Sequence, residues 1–118
     1  MIPTQFFHVS SRDSINEVEL KLPVHVDTEE FNQLNAEMSR LLVDPGGDRW
    51  VLDLSHVSYM GSSVLGLMVN LRQQIKAAGG RLVLCGLSQQ LSHVFHTCCL
   101  ERLFIIVKTR EEARRELR

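Results

Sequence analysis

Two clusters of residues in this chain could do chemistry. The first is Ser62–Ser63, which follows the apolar run Val51–Leu52–Asp53–Leu54 after a short loop and opens a segment with helical apolar spacing. Serine hydroxyls at the carboxyl end of a buried strand stand where open α/β sheets meet ligands and partners, and a helix N-terminus behind them favours a negative group. Spacing alone also fits a plainer role, in which one of the two serines caps the helix. Serine hydrolysis would need G-x-S-x-G, whereas the sequence has Ser62–x–x–Leu65–Gly66 and shows no identifiable His–Asp partner, so no catalytic residue is expected.

The second cluster is His93–x–x–His96–x–Cys98–Cys99. Imidazole and thiolate are the ligands zinc prefers, and His93 and His96 would lie one helical turn apart. Cys98, however, continues the apolar stripe of Leu91 and Phe95, so two exposed histidines and a buried cysteine are expected, with no metal. The glycines form neither G-x-x-x-x-G-K-[ST] nor G-x-G-x-x-G, so no nucleotide chemistry and no cofactor are expected.

Bulk composition narrows the classes further. At 118 residues, 44% hydrophobic and 23% charged, the chain reads as one globular domain spanning residues 1–118. Its 13 basic and 14 acidic residues give a net charge of −1, too little field to gather a nucleic-acid backbone. No apolar run approaches the ~20 residues that span a bilayer, and Met1–Gln5 lacks the pattern of a secretory leader, so a cytoplasmic location without membrane insertion is expected. Three cysteines, two of them adjacent, cannot make a full disulfide framework, which suits a reducing compartment.

The elements that must position Ser62 follow from periodicity. Phe6–Val9 and Ile15–Leu22 flank a polar stretch at 10–14 and predict a hairpin, the second strand alternating as if half-buried. Asp27 with Glu30 predicts a capping box for a helix carrying Phe31, Leu34, Met38, Leu41 and Leu42, ended by Pro45–Gly46–Gly47. Trp50–Leu54 and Arg81–Cys85 read as buried strands, the first of them central, around a helix that bears Val64, Leu67, Met68, Leu71 and Ile75 and ends at Gly79–Gly80. Leu65 and Val69 broaden the apolar arc of that helix. Ser88 caps a further helix, Phe104–Val107 is a last strand, and Thr109 with Glu112 predicts a second capping box before a charged helix with a solvated face. Strands alternating with helices imply α/β architecture: a mixed, mostly parallel sheet, an N-terminal antiparallel hairpin and about four helices packed on it.

The stretch Asp53–Leu54–Ser55–x–Val57–x–x–Met60–x–Ser62–Ser63–x–x–Gly66 resembles the D-L-S-x-v-x-f-[ML]-D-S-S-G-L-G signature of STAS domains, the fold of bacterial anti-sigma factor antagonists. The resemblance covers nearly the whole chain. Leu22 through Asp27 is similar to the family's L-x-G-x-L-D segment, Gly79–Leu84 to G-G-x-L-x-L, and Leu103–Ile106 with Thr109, Glu111 and Ala113 to its ending; Cys99 stands where a helix-ending glycine is common. It implies a STAS-like fold and a protein that binds a partner and catalyses nothing. The implied partner is an anti-sigma factor with serine kinase activity, which holds the nucleotide and phosphorylates the first serine of D-S-S, here Ser62; only the unphosphorylated form binds.

The implied partner surface comprises Asp27, Ser62, Ser63, Val64 and Leu65, with Ser63 less accessible than Ser62. Asp53 is expected to support the loop by accepting backbone hydrogen bonds there. Two positions depart from the pattern: Gly61 replaces the acidic residue before the serine, and Val24 replaces the glycine of L-x-G-x-L-D. Gly61 keeps a second expectation in view, a non-phosphorylated STAS scaffold or transporter-associated regulatory subunit. The oligomeric state, the sigma factor and the upstream signal are left open.

Overall fold

A computed structural model of the chain describes residues 6–118, so Met1–Gln5 lie outside the described residues. Strands β1 (Phe7–Arg12) and β2 (Ile15–Lys21) form an antiparallel hairpin in which Arg12 faces Ile15. Asp13 and Ser14, at φ of 53° and 63°, make the two-residue left-handed turn whose twist matches that of paired strands. The turn is therefore shorter than the polar run suggests: Ser10, Ser11 and Arg12 belong to β1, an edge strand whose polar side chains can meet water.

Helix α1 (Thr28–Leu41) starts at the expected capping box, with the Glu30 amide donating to Asp27 Oδ1 at 2.8 Å and the Asp27 amide to Glu30 Oε1 at 3.1 Å. Strand β3 (Arg49–His56), helix α2 (Ser62–Ala77), strand β4 (Arg81–Cys85) and helix α3 (Gln89–Thr97), capped by Ser88, follow in order. A short 3₁₀ turn (Leu100–Arg102) leads to β5 (Ile105–Val107) and α4 (Arg110–Leu117). The five strands lie in sequence order, parallel after the first pair, which puts β3 at the centre as its apolar sequence requires.

The two faces of this sheet are unlike. Trp50, Leu52 and Leu54 pack with α1, α2 and α3 through Leu34, Met38, Met68, Leu71, Leu91 and Phe95 in the main core. Val51, Val83 and Cys85 face the other way and meet Ala113 and Leu117 of α4, with Ile15 and the partly buried Val107, in a smaller cluster. Charge completes that second layer. Glu17 is 2% exposed and accepts two bonds from Arg114, at 2.5 and 2.8 Å, while Arg110 bonds to Asp53 and Glu19.

Four expectations are corrected here. The polar side of β2 is not a solvent face, because α4 covers it and carries the cations its carboxylates need. The charges of α4 are accordingly not all solvated: two of its arginines turn onto the sheet. Cys98 is exposed along with Cys99, since α3 ends at Thr97 and Cys98 falls at its C-cap beyond the apolar stripe. At α4 only half of the second capping box forms, with the Glu112 amide donating to Thr109 Oγ1 at 3.1 Å.

Candidate partner-binding site

Strand β3 delivers the Ser62 loop. The Val57 amide donates to the Leu54 carbonyl at 3.0 Å and turns the chain away from the sheet. Val57 and Met60 then pin the loop from inside at 2% and 1% exposure, while Tyr59 projects outward at 41%. These two anchors are why the five-residue connection between β3 and α2 can be ordered without forming an element of its own.

Gly61 is the N-cap of α2, extended at φ −76° and ψ 174°, and supplies no side-chain cap. Neither serine is therefore the cap: Ser62 and Ser63 are the first and second helical residues, and both are exposed. The first intrahelical bond runs from the Leu65 amide to the Gly61 carbonyl at 3.0 Å. The amides of Ser62, Ser63 and Val64 thus have no carbonyl behind them and form the positive end of the helix dipole.

The link between β2 and α1 comes to meet this loop. Val24, His25 and Val26 line an open depression of about 220 Å³ together with Tyr59, Gly61, Ser62, Ser63 and Val64. Asp27 follows immediately, exposed, with its carboxylate committed to capping α1. Two segments some 35 residues apart in sequence are therefore neighbours.

The burial of Val64 and Leu65 changes their part in that surface. They are 4% and 8% exposed and join the main core, so they shape the site from beneath and present little to a partner. Val24, 58% exposed, and Tyr59 are the apolar groups that stand free there. Sequence reasoning passed over both in that role. The signal for Val24 was its place at a glycine position; Tyr59 carries none, because loop residues have no periodicity.

Asp53 lies on the opposite face of the sheet from α2, alongside Val51. Its Oδ1 accepts the Ser55 amide at 2.9 Å and its Oδ2 accepts Arg110 Nε at 2.7 Å. Its support reaches the end of β3 and the start of α4 and does not run to Ser62 itself. Burial pushes the Asp53 carboxyl upward, but the Ser55 amide and Arg110 outweigh it and hold it below its ordinary range. Glycine is required nearby: at Gly86, φ +75°, a Cβ would sit 2.8 Å from Asp53 Oδ1.

Among the described residues no group of three or more His, Cys, Asp or Glu side chains could hold a metal ion; His96 Nδ1 pairs instead with Glu101 Oε1 at 2.7 Å. Nor is any helix among them long and apolar enough to cross a membrane.

A family model described as the STAS domain matches residues 8–113. A Bordetella bronchiseptica protein provisionally named as the anti-sigma factor antagonist BtrV is 33% identical over 88 residues, which are 75% of each chain. The crystal structure of a Thermotoga maritima protein, provisionally described as an anti-sigma factor antagonist, superimposes with a TM-score of 0.79 at 25% identity, covering 94% of this chain and 93% of that one. The Bacillus cell fate determinant SpoIIAA in its phosphorylated form superimposes at 0.68 with 22% identity, over 95% and 99%.

Proposed function

Because the chain belongs to the STAS domain family, whose anti-sigma factor antagonists are regulatory and not enzymatic, we propose that it is an anti-sigma factor antagonist switched by phosphorylation of Ser62. The observation that carries this reading is the placement of Ser62, exposed at the first position of α2, on the rim of a depression shared with Val24–Val26. Its partner is an anti-sigma factor with serine kinase activity, met in the cytoplasm through Ser62, Ser63 and Asp27, with Val64 and Leu65 holding the helix start in place. That the fold accommodates such a group in a relative is supported by SpoIIAA, solved in a phosphorylated form.

The switch follows from charge. A phosphate on Ser62 adds about −1.5 to −2 charge beside exposed Val24 and Tyr59. The free amides of Ser62, Ser63 and Val64 offer it donors within the domain, so the modified loop is satisfied internally. The partner would then have to desolvate a charge on closing over the apolar groups, and binding ends. Titration of the anti-sigma factor against the unmodified protein, Ser62→Ala and Ser62→Asp tests the reading: alanine should bind, and aspartate should not.

Gly61 favours a second reading, a STAS scaffold or transporter-associated subunit that is never phosphorylated. It differs in one outcome: tight binding with no phosphate transferred.

A further inference from the structure

The end of α2 away from Ser62 borders a second depression. Ser62 and Lys76 are 14 residues apart on α2, about 21 Å at the helical rise. Here Arg72, Lys76 and Arg81 surround an apolar floor that includes Ile75, Leu103 and Ile105, in an open volume of about 200 Å³. Leu103 and Ile105 are 37% and 40% exposed, among the few large apolar side chains that are. None of the three cations forms an ion pair among the described residues, in contrast to Arg110 and Arg114 on the other layer. Beside them β5 is an edge strand, hydrogen-bonded to β4 alone.

The geometry points to a docking site for an extended segment of another protein in which acidic and apolar residues alternate, added along the open edge of β5. Each feature selects for one property of that segment. Unpaired cations call for carboxylates, exposed Leu103 and Ile105 call for apolar side chains, and an unpaired strand edge calls for a main chain able to complete its hydrogen bonds. A compact metabolite fits poorly, because the space is smaller than the roughly 300–1,000 Å³ of small-molecule pockets. Single-stranded nucleic acid fits poorly too, since no aromatic side chain lines the groove to stack a base. The site is remote from Ser62 and independent of its phosphorylation, so a partner held here and one held at the Ser62 loop can be bound together.

The test is nuclear magnetic resonance titration of the full chain with a seven-residue capped peptide alternating glutamate and valine. Two controls accompany it, the same peptide with lysine for glutamate and a thymidine oligonucleotide. Saturable shifts should appear at residues 72–76, 80–82 and 103–106, leave residues 58–64 unmoved, and be absent with both controls. The double variant Arg72→Glu, Arg81→Glu alters side chains outside the core and should weaken the acidic peptide by about tenfold or more, through loss of attraction and added repulsion. Ile105→Ala should weaken it without changing its dependence on salt. No saturable shift, equal binding of the lysine peptide, binding of the oligonucleotide instead, or shifts centred elsewhere would each overturn the proposal.

Discussion

Arg110 Nε lies 2.7 Å from Asp53 Oδ2, so the last helix is fastened to the strand that leads into the Ser62 loop. The same guanidinium reaches Glu19 on β2, and one residue on the first turn of α4 thereby joins neighbouring strands from above. Asp53→Ala would remove a charge-assisted bond and the acceptor of the Ser55 amide while leaving Arg110 its glutamates. The expected loss is about 2 kcal/mol by urea unfolding. Amide exchange in α4 should accelerate more than in α2, and equal acceleration in both helices would count against this division of the fold into two layers.

Acid should loosen α4 first. The hydrogen bond from Arg114 holds the Glu17 carboxyl below its ordinary range, against the opposing effect of burial, and Asp53 is also lowered. A carboxyl with a lowered folded value contributes stability that is complete above the ordinary carboxylate range, about pH 4, and is lost as pH falls through the lower folded value. The melting temperature should therefore decline below about pH 4 and be insensitive to these two groups above it. Glu17→Gln should cost about 2–3 kcal/mol at neutral pH, less than a fully enclosed pair because Arg114 retains some contact with water, and should flatten the acid limb.

Gly61→Asp tests the departure at the helix cap. The position is extended, and an added Cβ would find nothing nearer than a Tyr59 ring carbon at 4.0 Å, an ordinary contact. An aspartate can there accept from the free amides of the first turn. Stability should rise by a few tenths of a kcal/mol. The rate of phosphate transfer to Ser62 should rise as well if the restored acid assists the kinase, and an unchanged rate would separate the two roles.

The three thiols should react unequally. Cys85 is 1% exposed, and its burial with the neighbouring Asp53 charge raises its pKa to about 12, whereas Cys98 and Cys99 are exposed. Iodoacetamide at neutral pH should label Cys98 and Cys99 in the folded protein and Cys85 only in denaturant. Cys99 also sits at φ 59°, a left-handed helix end that costs a side chain about 1 kcal/mol. Cys99→Gly should recover that amount in thermal unfolding.

What could be read from sequence was local. The Asp27–Glu30 box, the Ser88 cap and the buried run Trp50–Leu54 depend on residues a few positions apart, and the structure carries all three. The pairing of Glu17 with Arg114 spans 97 residues, and each partner alone looks like an exposed charge on an amphipathic element. For that reason β2 reads as half-buried and α4 as solvated. At the candidate site the order strand, loop, serine, helix was legible, since period and helix-start signals mark it. The exposure of Val24 and Tyr59 was not, because it follows from how two distant loops meet, whereas Val64 is buried as its place on the apolar stripe of α2 predicts.

The most direct measurement is phosphate mapping. The protein would be incubated with its kinase-type anti-sigma factor and ATP, digested and examined by mass spectrometry, alongside Ser62→Ala. A single phosphate on Ser62, none on the alanine variant, and retained binding of that variant is the expected result. The hydroxyl at the first position of α2 is offered to solvent beside three amides ready to hold the product. Loss of a serine at this position would cost too little stability to mimic a signalling defect. Phosphate on Ser63 or elsewhere, or tight binding with no transfer, would contradict the account and leave the scaffold reading in its place.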